Sequence, residues 1–121
     1  MALILIIDDS PTEVHAMKTA LEKSGFKTLT AKDGQEGVRL AREKHPDLIF
    51  MDVVMPGMNG YQATRAIVSD PGTKSIPVVM VSSKGLETDR VWGLRQGAVD
   101  YMVKPVTPDT LVRKAQATLA A

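Results

Sequence analysis

Four places along this 121-residue chain carry side chains able to act together on a phosphorus centre: Asp8-Asp9, Asp52, Ser82-Ser83 and Lys104-Pro105. Each follows a short apolar run, at Leu3 to Ile7, Leu48 to Met51, Val78 to Val81 and Tyr101 to Val103 respectively. Three carboxylates brought together repel one another unless a cation joins them. An all-oxygen donor set selects Mg²⁺ or Mn²⁺, and Mg²⁺ keeps several waters while taking one or two carboxylates and phosphate oxygens. An aspartate can itself attack phosphorus and form an aspartyl phosphate. Such a transfer asks mainly for positioning and for neutralisation of charge. The metal and the Lys104 ammonium would supply positive charge, and a serine hydroxyl would donate a hydrogen bond to a phosphoryl oxygen.

These groups meet only if the apolar runs lie side by side. The runs are rich in Val, Ile and Leu and do not alternate with polar residues, as expected of strands buried on both faces of a parallel sheet. Lys27 to Ala31 is more polar and alternating, and is placed nearer an edge. Helices with readable starts separate the runs. Ser10-Pro11-Thr12-Glu13 supplies an N-cap serine, a proline at the first helical position and a glutamate placed to close a capping box. Val14, Met17 and Leu21 then mark one apolar face, and Gly25 ends the helix. Asp33-Gly34-Gln35-Glu36 repeats the capping logic before Pro46, Asn59-Gly60 opens a third helix, and Leu86 to Gln96 forms a fourth. Thr107-Pro108 opens a fifth, with Leu111, Ala115 and Leu119 facing inward. Strands alternating with helices imply a parallel sheet with right-handed crossovers and helices on both faces. The fold class expected is therefore α/β: a flavodoxin-like, doubly wound sheet of five strands in the order 2-1-3-4-5, with five helices, as one domain over residues 1–121. That order makes the four chemically equipped strand ends neighbours, and ligands of open parallel sheets bind beyond the carboxyl ends of the strands.

Composition narrows the classes. A formal net charge of +1 gives no field to gather nucleic acid or a membrane surface. The absence of cysteine excludes a disulfide framework, a thiol nucleophile and a cysteine-type zinc site. The apolar start is short, lacks a basic lead-in and runs straight into Asp8-Asp9, unlike a signal peptide or membrane span. A cytoplasmic location is the expectation.

Taken with their order and spacing, four stretches resemble the receiver domain of bacterial two-component response regulators in its single-domain, CheY-like form. They are Asp8-Asp9, the run from Met51 to Gly60 (MDVVMPGMNG), the run from Pro77 to Ser83 (PVVMVSS), and Asp100 to Pro105 (DYMVKP). The resemblance covers the whole chain. It implies Asp52 as phospho-acceptor, Asp9, Asp52 and the Val54 backbone carbonyl as direct metal ligands, and Asp8 acting mainly through a metal-bound water. It also implies Ser82 and Lys104 as phosphoryl-binding groups and a cis bond before Pro105. Val54 and Lys84 would flank the path of the hydrolytic water and tune the lifetime of the aspartyl phosphate, and Ser82 and Tyr101 would form a switch. The phosphoryl donor would be a histidine kinase or phosphotransfer domain. The output would be a protein target on the surface of the fourth helix, fifth strand and fifth helix, read from a monomer and without nucleic acid or membrane. Local wording, from Asp8 to Glu13 and from Glu87 to Ala98, further resembles regulators of type IV pilus twitching motility, the PilH-like group. The chain would thus catalyse only its own phosphorylation and dephosphorylation, in chemotaxis or twitching motility, with a phosphate-sink role as an alternative.

Taken singly, each residue has a plainer reading: Asp8-Asp9 as a polar strand end, Asp52 as a turn former, Lys104 as a solvated lysine. The methionines read as core filler or loop residues, His15 and His45 as surface groups, and Arg113 and Lys114 as complements of a helix dipole. Trp92 is either half-buried packing or a partner contact. A phosphatase with an aspartate nucleophile would want its acids at i and i+2 and a cap over the substrate. Here they are adjacent, and no insertion is long enough for a cap. A flavin module would need a neutral phosphate loop where Asp8-Asp9 stands.

Overall fold

A computed structural model describes residues 2–121. The elements alternate through the chain: β1 (Leu3–Ile7), α1 (Pro11–Lys23), β2 (Lys27–Ala31), α2 (Gly34–Lys44), β3 (Leu48–Met51), α3 (Gly60–Ser69), β4 (Val78–Ser82), α4 (Glu87–Arg95), β5 (Asp100–Val103) and α5 (Pro108–Ala120). The sheet order is β2-β1-β3-β4-β5, with every pair parallel. The expected arrangement is the one observed. Small differences lie at the ends, where β4 runs on to Ser82 and β5 begins at Asp100.

Strand periodicity divides the core in two. Side chains alternate between faces, so Ile4 and Ile6 join one cluster while Leu5 and Ile7 join the other. On the first face Leu21, Leu111 and Ala115 bring α1 and α5 against Phe50, Val79 and Val81. Val14, Met17 and Leu119 pack at its margin, as their helical spacing predicts. On the second face Val38, Ala41, Ala63 and Ile67 bring α2 and α3 against Ile49, Met51 and Val78. The more polar β2 is indeed an edge strand. Met51, Met55, Met80 and Met102 are buried, in keeping with their reading as core filler.

The helix that differs is α4. Of its residues only Gly93 is buried. A Cβ on Gly93 would stand 2.7 Å from the Met80 sulfur and 3.0 Å from the Tyr101 ring, so the missing side chain lets the helix approach β4 and β5. Trp92 stays half exposed on the outer side.

Local interactions depart from two expectations. Glu13 does not close a capping box. Ser10 Oγ does accept from the Glu13 N–H, but the Ser10 N–H is already bound to Asp8 Oδ1 at 2.9 Å, so Glu13 has no local donor to return to. The complete box instead opens α3, where Asn59 and Gln62 each accept from the other's backbone N–H. Arg113 and Lys114 do not sit in the last turn of α5. Arg113 pairs with Asp109 one turn earlier, and Lys114 reaches across to Asp100 on β5. His15 and His45 are both exposed, and His45 ends α2 in the left-handed region at φ 46°. No helix among the described residues is long and apolar enough to cross a membrane.

One buried group lacks a partner among the described residues: Thr64 Oγ1, on the inward face of α3. A hydroxyl held from water without a hydrogen bond carries its full desolvation cost. Thr64→Val keeps the shape and removes the orphan, and is expected to raise stability by about 1 kcal/mol. Urea unfolding measures this, and a lower midpoint would mean that the hydroxyl finds a partner in solution.

Candidate functional site

The carboxyl ends of β1, β3, β4 and β5 meet at one edge of the sheet because those strands are hydrogen-bonded neighbours in parallel register. Asp8 and Asp9 leave the end of β1, and Asp52 leaves the end of β3. The Asp52 N–H donates to the Ile7 carbonyl at 2.8 Å, which sets the two ends level. One carboxylate oxygen from each of Asp8, Asp9 and Asp52 lies within 4.8 Å of the others. Asp8 and Asp52 are buried, whereas Asp9 faces solvent.

The backbone beyond Asp52 is held closely. The Gly60 N–H donates to the Val53 carbonyl at 2.8 Å, and a Cβ on Gly60 would lie 2.0 Å from the Asp52 carbonyl oxygen. No side chain fits there, so Gly60 brings the start of α3 directly against the backbone of Asp52 and Val53. The Val53 N–H donates to Asp52 Oδ1 at 2.9 Å and orients the carboxylate.

Burial pushes the Asp52 carboxyl up to about 6, with the neighbouring Asp8 charge adding to the rise and Lys104 opposing it. Asp8 is raised too, again first by burial, against the lowering effect of the Ser10 N–H and Lys104. Two buried acids are thus held above their ordinary range, the condition a divalent cation relieves. The donor set is all oxygen, and Asp9 opens it to solvent. Both features fit a hard ion that retains waters, Mg²⁺ or Mn²⁺.

Lys104 follows β5, its N–H donating to the Ser82 carbonyl at 2.8 Å, and its bond to Pro105 is cis. Its ammonium donates to Asp8 Oδ2 at 2.9 Å and to Glu13 Oε2, and lies 3.5 Å from Asp52 Oδ1. Burial alone would lower this ammonium, but the bonds to Glu13 and Asp8 and the charge of Asp52 outweigh it and raise it. Lys104 therefore stays charged at any physiological pH.

Ser82 is fully buried at the end of β4, and its Oγ accepts from the Lys84 N–H at 3.2 Å. The Lys84 carbonyl in turn accepts from the Tyr101 hydroxyl at 2.7 Å. Tyr101 is turned inward and buried with Val53, Met80 and Ala98, and Tyr61 packs beside it. The Lys84 ammonium lies 4.0 Å from Asp89 on α4. Val54, two residues beyond Asp52, is 58% exposed.

The structure thus gathers Asp8, Asp9, Asp52 and Lys104 at one cleft and links Ser82 to Tyr101 through the backbone of residue 84. Glu13 is the site residue that sequence reasoning missed. A usable signal existed: an aspartate can accept from the backbone two residues on, so Asp8 competes for the very N–H that a capping box would need.

Residues 4–116 match the model of the response regulator receiver domain. Protein PilH of Pseudomonas aeruginosa is 53% identical over 120 residues, covering 99% of each chain. Among solved structures, chemotaxis protein CheY4 of Vibrio cholerae superposes with a TM-score of 0.92 at 31% identity, over 97% of this chain and 98% of that one. The receiver domain of a sensor histidine kinase from Pseudomonas aeruginosa, solved with a magnesium ion coordinated in its active-site cleft, gives 0.92 at 29% identity, over 99% and 98%.

Proposed function

The chain belongs to the response regulator receiver domain family, and from that premise we propose that Asp52 accepts a phosphoryl group from the phosphohistidine of a histidine kinase or phosphotransfer domain. The observation that carries this reading is the convergence of Asp8, Asp9 and Asp52 with the Lys104 ammonium at the carboxyl ends of adjacent strands. A bound Mg²⁺ or Mn²⁺ would neutralise the transferred group and orient it for in-line attack. Asp9, Asp52 and the Val54 carbonyl would hold the ion directly, with Asp8 contributing through a metal-bound water. Asp52 supplies the nucleophilic oxygen, and Lys104 and Ser82 bind the phosphoryl oxygens. The domain carries out only its own phosphorylation and dephosphorylation. Val54 has no polar atom on its side chain to hold a hydrolytic water, which favours a long-lived aspartyl phosphate. Lys84, drawn towards Asp89, would cover the phosphoryl group only after leaving that partner.

The output follows from the link through residue 84. When the Ser82 hydroxyl turns to a phosphoryl oxygen, the Lys84 N–H loses its acceptor and the loop that carries the Tyr101 acceptor is released. Tyr101 stands in the inward position here, and phosphorylation would favour that position over an outward rotamer by its differential affinity for the two states. The face of α4, β5 and α5 would then be remodelled for a protein target. The similarity to PilH supports a place in type IV pilus twitching motility.

Incubation with acetyl phosphate and Mg²⁺, followed by intact-mass measurement, tests the central claim. One labile phosphoryl group per chain is expected, disappearing when EDTA replaces the metal. No uptake, or uptake on another residue, would overturn it.

A further inference from the structure

The Lys104 ammonium is shared by three carboxylates of unequal exposure. Its side chain is only 15% exposed, while its partners range from Asp8 at 1% to Glu13 at 44%. Two of its three donors are engaged by Asp8 and Glu13. Asp52 Oδ1, at 3.5 Å, lies beyond the range of a charged hydrogen bond. Glu13 can make this contact because of the turn before it. Asp8 takes the Ser10 N–H, which leaves the third residue of α1 without its usual local partner and free to reach across the cleft. Glu13 and Lys104, with Met17, Val81 and Val106 among their neighbours, line a small cleft of about 80 Å³ on the α1 side of the site.

We propose that Glu13 is a positioning residue that tethers the Lys104 ammonium to the first turn of α1 and so competes with the phosphoryl group for it. The proposal rests on the reading of Asp52 as phospho-acceptor. Phosphorylation adds negative charge and three acceptor oxygens beside Asp52. One donor is still free for them, but drawing the ammonium in from its present 3.5 Å to Asp52 Oδ1 pulls it away from Asp8 or Glu13. Asp8 is 1% exposed, and its Oδ2, unlike the Oδ1 held by the Ser10 N–H, has no bulk water to replace the lysine. Glu13 is 44% exposed at its side chain and can return to water at little cost. Glu13 is therefore the partner that yields, and the strength of its hold sets how readily the lysine is delivered.

Beryllium fluoride, a phosphoryl mimic that needs no chemical step, tests this in the presence of Mg²⁺. Fluorine NMR titration gives its dissociation constant for the wild type, Glu13→Gln and Glu13→Asp. Glu13→Gln is expected to bind about fivefold tighter, the scale of one partly exposed ion pair. Glu13→Asp is expected to bind tighter as well, because the shorter side chain keeps its charge but loses its reach. It also keeps an acid in the first turn, so it carries the test should the glutamine variant fold poorly. Equal or weaker binding by both variants, with a wild type that does bind, overturns the tether and leaves the acceptor reading standing. A Glu13→Asp affinity equal to the wild type beside a tighter Glu13→Gln means that charge alone acts, which also overturns it. A wild type that binds no beryllium fluoride overturns both readings together.

Discussion

Asp52→Asn is expected to take up no phosphoryl group from acetyl phosphate and Mg²⁺, where the wild type should take up one. The amide keeps the shape of the side chain and its backbone partner, the Val53 N–H, but has no oxygen able to attack phosphorus. Intact-mass measurement reads the loss directly, and labile phosphate on the variant at the wild-type rate would mean that another aspartate is the acceptor. The same variant has a second consequence. The Asp52 carboxyl is raised from 3.8 to about 6, mainly by burial. A raised acid favours the fold while it is protonated, so in metal-free buffer the wild type loses stability as pH climbs from about 4 through about 6. Asparagine never ionises and escapes this loss. At pH 7 without metal the variant is expected to be the more stable by about 1 to 2 kcal/mol, the shift being discounted for solvent screening, and most of the difference should be gone at pH 4. Urea unfolding at the two pH values measures it. A wild type whose stability does not change between them would show that Asp52 is ionised without strain.

Asp9→Ala is expected to lose metal binding and phosphorylation together. Asp9 is the exposed member of the acidic cluster, so its removal disturbs the hydrophobic core least. It is also the carboxylate that opens the site to an entering hydrated ion. Loss of a supporting group behind a metal ligand costs about ten- to a hundredfold in affinity, and loss of a ligand itself should cost no less. Calorimetric titration with Mg²⁺ should therefore show at least a tenfold weaker site, with the rate of phosphoryl uptake falling in parallel because the same cation neutralises the transferred group. Unchanged affinity would remove Asp9 from the ligand set. Metal added to the wild type should also restore the stability lost to Asp52 ionisation, since it binds the folded cluster and not the open chain.

Much of this molecule was legible before any coordinates. The unalternated apolar runs, the capping residues and the glycine stops mark five strands and five helices within a residue or so of their ends, because periodicity and caps are properties of short stretches. The meeting of Asp8, Asp52 and Lys104 also follows from sequence. Once the strand order is the doubly wound one, residues at the carboxyl ends of adjacent strands have nowhere else to be. The family resemblance, carried by motifs at those same ends, says the same thing independently.

Partner choice was not legible. Glu13 reads as a capping residue, since its spacing from Ser10 suits one, yet it bonds a lysine 91 residues away. Lys114 reads as a dipole partner, yet it bonds Asp100 on the neighbouring strand. Tyr101 carries no sign in its spacing that it would turn inward and bond the Lys84 carbonyl. In each case a polar side chain has several acceptors or donors of similar strength within reach. The choice among them falls to distances of a fraction of an ångström, set by how helices seat on the sheet. The sequence by itself determined the order of the elements and the inventory of groups at the strand ends. Only the tertiary structure decided how one ammonium is divided among Asp8, Glu13 and Asp52, because hydrogen bonding is short-ranged and directional while the hydrophobic pattern that builds the fold is neither.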